Sequence, residues 1–96
     1  MRPSEALAKH RDEVLRIIAR YPVSNPRIFG SAARGEDTEE SDLDLVVDVA
    51  GTFSYFDMAK LALELEALLD CKVDIGTARS LKPDIAARVQ PDFQRL

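Results

Sequence analysis

The chain has one cysteine, Cys71, so it cannot form an internal disulfide. A reducing compartment, the cytoplasm, suits such a sequence best. No apolar run approaches the roughly 20 residues that a membrane-spanning helix needs. The N-terminal stretch, with Glu5, Lys9, His10, Arg11, Asp12 and Glu13, is too polar for a secretory leader. There is no excess of positive charge: the formal net charge is -4 and the pI is near 4.9. That argues against direct nucleic-acid binding, which normally needs a basic face. It leaves room for a nucleotide, because metal ions can neutralise both partners. Internal repeats and low-complexity segments are also missing. With 96 residues the sequence reads as one small domain, 1–96, too short for a second substrate-holding domain. At 46% hydrophobic it can still bury a core.

The pattern predicts a first helix from Ser4 to about Arg20, with Ser4 as its cap and Leu7, Val14, Leu15 and Ile18 on one face. Tyr21-Pro22 ends it. Arg27-Ile28-Phe29 reads as a short buried strand after Asn25-Pro26. Gly30 to Ser41 reads as a loop with one helical turn near Ala32-Ala33. Leu43 to Val49 is the clearest strand: Leu43, Leu45, Val47 and Val49 alternate with Asp42, Asp44, Val46 and Asp48, giving one apolar and one mostly acidic face. A second long helix is expected from Ser54 or Tyr55 to Asp70, with Met58, Leu61, Leu65, Leu68 and Leu69 as its stripe and Tyr55-Phe56 packed at its start. Leu63 falls outside the stripe and suggests cover on a second side. Lys72 to Ile75 is a third strand. Leu81-Lys82-Pro83 opens a short helix to about Val89, and Gln90 to Leu96 has no assignment. The fold class is therefore α/β or α+β: a small mixed sheet of three to four strands with helices packed against it. The pattern alone leaves the strand directions open.

The chemistry concentrates between residues 30 and 47. Gly30 lets the backbone turn sharply and approach a ligand, and Ser31 adds a hydroxyl and an N–H at a candidate helix start. Such a turn can offer N–H groups to phosphates. Arg34 supplies a cation that could reach them. Asp42 and Asp44 stand at i and i+2 of a strand, hence on one face, with Cα atoms roughly 6.6 Å apart. Acids at the mouth of an apolar strand are costly unless paired or metal-bound. All-oxygen ligands favour a hard cation, Mg²⁺ or Mn²⁺. Asp74, in Val73-Asp74-Ile75-Gly76, could come alongside from a neighbouring strand, hold a second ion, and accept the proton of an attacking hydroxyl. Glu36, Asp37, Glu39 and Glu40 read as a solvated loop. His10 reads as a partly covered helix residue.

Gly30-Ser31, Arg34-Gly35 and Ser41-Asp42-Leu43-Asp44-Leu45-Val46-Val47 together resemble the GS-x-x-RG…SD-x-D-L-x-V pattern of DNA polymerase beta-like nucleotidyltransferases. The short length and a third acid at Asp74 resemble the minimal nucleotidyltransferase branch. The resemblance implies the nucleotidyltransferase fold. It matches Asp42, Asp44 and Asp74 to the family's catalytic, metal-binding triad, for two Mg²⁺ ions, and Gly30 and Ser31 to its triphosphate contacts, with Arg34 assisting. It further implies ATP as substrate and a HEPN-domain toxin as partner. This chain would be the antitoxin, moving AMP to a tyrosine of the toxin. Two other readings stay open: a non-catalytic antitoxin that binds and occludes its partner, and an adenylyltransferase acting on a small molecule.

Overall fold

The computed structural model describes residues 1–79, Asp84 and 93–96. Apart from Asp84, the helix expected from Leu81 to Val89 lies outside the described residues.

The first expected helix is two. α1 spans Pro3–Lys9 and α2 spans Arg11–Ile18, hinged at His10, whose φ of -111° and ψ of 22° leave the helical region. α1 packs against both the short helix after the first strand and the long helix, and α2 packs against the long helix. The cap of α1 is Arg2, not Ser4; Arg2 Nε and backbone N–H both bond Glu5, and Pro3 takes the first helical position, where its missing N–H costs nothing. Ser4 has another task, described below.

β1 runs Val23–Phe29, four residues earlier than the sequence pattern suggested. Its register against the next strand shifts between Ser24 and Arg27. Asn25, at φ 50°, and Pro26 sit in that irregularity, which is where a strand tolerates a residue with no N–H. α3 (Gly30–Arg34) follows at once, then β2 (Leu43–Val49). α4 (Tyr55–Leu69) starts with a capping box: Ser54 Oγ accepts from the Asp57 N–H, and the Asp57 carboxylate accepts from the Ser54 N–H. It ends at Asp70 in the left-handed region. β3 covers Val73–Thr77, and the tail adds a two-residue edge strand, β4 (Gln94–Arg95).

The sheet order is β3-β2-β1-β4. β1 is antiparallel to β2 and to β4, and β3 is parallel to β2. Parallel neighbours need a crossover, and α4 supplies it. The sheet is thus mixed and four-stranded, as the fold class required. Leu43, Leu45 and Val47 of β2 point into a core completed by Val14, Ile18, Ile28, Leu61, Leu65, Leu69 and Val73. Leu61 and Leu65 are 0% exposed. Burying each contributes about 2 kcal/mol. The acidic side chains of β2 are left on the face away from α4.

Tyr55 and Phe56 do not pack: they are 87% and 86% exposed, and Leu63 is 64% exposed. The capping bonds of Ser54 and Asp57 hold the start of α4. Phe53, just before the cap, takes the packing role, its ring edge-on to Tyr21 at 6.2 Å. No helix among the described residues is long and apolar enough to cross a membrane.

Candidate active site

β2 and β3 run in parallel register, with Asp44 opposite Asp74 and Leu43 opposite Val73. Residues paired across parallel strands present their side chains to the same face. Asp74 therefore stands beside Asp44, and Asp42 reaches that face by strand alternation. The charges interact: burial pushes the Asp44 carboxyl above its ordinary range, and the negative charges of Asp74 and Asp42 push it further. Asp44 and Asp42 are half-buried, and Asp74 is exposed.

Two nearby acids, Asp48 and Asp37, behave in the opposite way. Asp48 accepts from Asn25 Nδ2 at 3.2 Å and from Arg27 at 2.8 Å, and these bonds hold its carboxyl low. Asp37, expected in solvent, is 3% exposed. Burial acts to raise its carboxyl, but hydrogen bonds from Ser4 and the nearby Arg2 charge outweigh that and hold it low. Asp48 and Asp37 are thus partnered, whereas Asp44 is crowded by like charges at the mouth of its strand.

Gly30 closes the other side. Phe29 lies opposite Asp44 in the β1–β2 pairing, so the turn after Phe29 comes up against that carboxylate. Gly30 has φ +74°, which side-chain-bearing residues adopt only with strain. A Cβ there would also sit 2.6 Å from Asp44 Oδ2. Glycine is needed on both counts. Ser31 follows in the first turn of α3. Arg34 is exposed in the last turn, its Nε 3.5 Å from Glu36 Oε1. Asp42, Asp44, Asp74 and Gly30 thus lie at one end of one face, and Ser31 and Arg34 follow Gly30 in α3.

The aspartates do not form a closed cage. Among the described residues no three His, Cys, Asp or Glu side chains are drawn together as a ready-made metal site. Mg²⁺ does not demand such a cage, because it keeps several waters and uses one or two carboxylates plus substrate phosphates. The oxygen-only donors and the side-chain-free cradle at Gly30 fit that mode of binding. A cavity of about 480 Å³ lined by Val49, Phe53, Tyr55, Met58, Thr77 and Arg79 lies at the far ends of β2 and β3.

Sequence reasoning missed Arg27. Its guanidinium bonds Asp48, and its central carbon lies 5.3 Å from the centre of the Phe93 ring. Phe93 in turn stacks edge-on to Phe29 at 5.8 Å. The only signal was a cation inside an apolar strand.

A mixed sheet with a Gly-Ser helix entry pressed against strand-borne carboxylates is the architecture of a nucleotide-transfer enzyme. The comparisons agree: residues 12–92 match the family model described as "Polymerase beta, Nucleotidyltransferase". The chain belongs to that family and is a nucleotidyltransferase. The protein adenylyltransferase MntA of Thermococcus cleftensis is 39% identical over 83 residues, covering 86% of this chain and 81% of that one. A solved structure provisionally described as a minimal nucleotidyltransferase superposes with a TM-score of 0.85 at 41% identity, covering 97% of this chain and 95% of the other. A more distant structure, at 20% identity and a TM-score of 0.71, covers 92% of this chain and 69% of its own and shares the fold. It belongs to a Shewanella oneidensis complex between a tri-AMPylated HEPN toxin and its MNT antitoxin.

Proposed function

We propose that this chain is a minimal single-domain protein adenylyltransferase. It moves AMP from ATP to a hydroxyl, preferably a tyrosine, of a HEPN-domain toxin, and so acts as that toxin's antitoxin. The observation that carries the reading is the in-register pairing of Asp44 with Asp74, with Asp44 Oδ2 tight against Gly30. The protein-adenylyltransferase name of the Thermococcus relative supports the reaction class, and the toxin–antitoxin complex that shares the fold supports the partner class.

Gly30 and Ser31 receive the triphosphate through backbone N–H groups and the Ser31 hydroxyl, where no Cβ blocks approach. Arg34 exchanges its contact with Glu36 for a phosphate oxygen. Asp42, Asp44 and Asp74 are the groups that would hold two Mg²⁺, or Mn²⁺, whose role when bound is to neutralise the phosphates and the developing charge. Asp74, the most exposed of the three, faces the acceptor and takes the hydroxyl proton. The acceptor oxygen bonds to the α-phosphorus, the α–β anhydride bond breaks, and pyrophosphate leaves. Positioning and charge compensation supply most of the acceleration.

A second reading rests on the exposed Tyr55, Phe56 and Leu63, which an occluding partner could cover. One experiment separates the two. The chain is mixed with a HEPN-domain toxin encoded beside it, ATP and Mg²⁺, and the toxin's intact mass is measured. A gain of one or more AMP units is the expected result. An unmodified toxin in a stable complex favours occlusion and refutes catalysis.

A further inference from the structure

We propose that Asp37 is a positioning residue: it anchors the loop between α3 and β2 to the first turn of α1, and so fixes where Asp42 stands relative to Gly30 and Ser31. The inference rests on the nucleotidyl-transfer reading of those three residues.

Asp37 is the one charged side chain among the described residues that is buried, at 3% exposure. Its Oδ2 accepts from the Ser4 N–H at 2.8 Å and its Oδ1 from the Ser4 hydroxyl at 2.8 Å. Arg2 Nη1 lies 3.8 Å from Oδ1. Every other side chain from Glu36 to Glu40 is exposed. The loop therefore has a single deep anchor, and that anchor belongs to the N-terminal helix rather than to the sheet.

Short-range hydrogen bonds close the loop on either side of Asp37. Towards α3, the Glu36 N–H bonds the Ser31 carbonyl at 2.9 Å and the Gly35 N–H bonds the Ala32 carbonyl at 3.3 Å. Towards β2, the Thr38 N–H bonds Ser41 Oγ at 2.8 Å and the Ser41 N–H bonds the Thr38 carbonyl at 3.0 Å. Asp42 is the next residue. The chain from Ser31 to Asp42 thus contains closed turns on either side of Asp37, whose buried bonds to Ser4 pin its middle, with a second, exposed contact from the N-terminal ammonium to Glu39 at 3.4 Å. Freeing that pin lets the two halves of the site move relative to each other, and small misplacements of such groups are costly.

The test compares Asp37→Ala, Asp37→Asn and Ser4→Ala with wild type and with Val14→Ala, a core change in α2. Binding of Mn²⁺ with a non-hydrolysable ATP analogue is read by electron paramagnetic resonance, alongside the melting temperature and amide exchange at residues 38–42. Asp37→Ala is expected to weaken Mn²⁺–nucleotide binding about tenfold, in the range of losses seen when supporting groups behind metal ligands are removed. It should speed amide exchange in the loop and raise KM for metal–ATP, with kcat recovering at saturating metal. Asp37→Asn should fall between Asp37→Ala and wild type. Ser4→Ala, which keeps the backbone N–H bond, should show a smaller shift in the same direction. Val14→Ala should lose thermal stability and bind normally. If Asp37→Ala melts early yet binds Mn²⁺–nucleotide as wild type does, the positioning role is overturned and Asp37 is structural only. Should Asp37→Ala not fold, Ser4→Ala decides: unchanged binding and loop exchange overturn the inference. If wild type itself binds no Mn²⁺–nucleotide, the reading of the site falls, and this inference with it.

Discussion

Replacing Asp44 by Asn should stabilise the metal-free protein while disabling it. Asp44 is half-buried, and its carboxyl is raised by burial and by the charges of Asp74 and Asp42. Adjacent strands are about 4.8 Å apart, so the Asp44 and Asp74 charges stand roughly 5–6 Å from each other. At that distance two unit charges repel by about 3 kcal/mol at an effective dielectric of 20 and by about 0.75 kcal/mol in water. Asp74 is exposed, which favours the lower end, and relief of the Asp44 burial penalty adds a little. The net gain at pH 7 is about 1 kcal/mol, or about 4–8 °C in melting temperature for a domain of this size. The sign fixes the pH window. A carboxyl raised in the folded state is relatively stabilising only while protonated, and that contribution is lost as pH rises through its folded value. The gain from Asn should therefore vanish in acid, where wild-type Asp44 is protonated folded or unfolded. The assay is thermal melting in EDTA and again with Mg²⁺ and a non-hydrolysable ATP analogue. At a ligand concentration of 100 Kd the wild type should gain about 2.7 kcal/mol, and the variant little. An Asp44→Asn protein that melts earlier than wild type in EDTA, or that keeps the ligand-induced shift, refutes the reasoning.

Other perturbations have equally definite outcomes. Gly30→Ala combines a left-handed backbone with a Cβ 2.6 Å from Asp44 Oδ2. It should cost about 1–2 kcal/mol of stability and displace the carboxylate, so transfer activity falls by far more than the folded fraction does; activity in proportion to folded protein would contradict this. Leu65→Ala empties a position that is 0% exposed between α4 and the sheet, and chemical denaturation should show a loss of about 2–5 kcal/mol. Asp37 and Asp48 carry carboxyls held low in the folded state. Their contributions are present above the ordinary carboxylate range and are lost as pH falls through the folded values, so acid unfolding of Asp37→Asn should be shallower than that of wild type. An unchanged acid limb would show that the Ser4 bonds contribute nothing.

What the sequence made legible was whatever local pattern controls. The alternation of Leu43, Leu45 and Val47 with Asp42, Asp44 and Asp48 placed β2 and its acidic face, because strand periodicity needs no tertiary information. The start of α4 was placed to within a residue, at Ser54 or Tyr55, although the Ser54–Asp57 capping box that fixes it went unread. Asp74 was a candidate only through its oddity within an apolar strand; its register with Asp44 depends on the crossover of α4, which no local signal specifies. Long-range partners were invisible. Asp37 looked like one loop acid among four, and nothing near it in sequence announces Ser4. The bend at His10 likewise has no breaker residue to announce it; α1 packs on α3 as well as on α4, which α2 also contacts. Tyr55 and Phe56 read as packed because large aromatic residues usually bury, yet they are exposed and the neighbouring Phe53 packs instead.

The account stands on Asp42, Asp44 and Asp74 working as one unit beside Gly30. Its most direct test supplies the toxin, Mg²⁺ and ATP labelled at either the α- or the γ-phosphate to wild type and to Asp44→Asn. The account predicts that α-label follows the toxin with wild type, that γ-label leaves with pyrophosphate, and that the variant, folded and at least as stable without metal, transfers nothing. Transfer of γ-label, or undiminished α-transfer by Asp44→Asn, would contradict it.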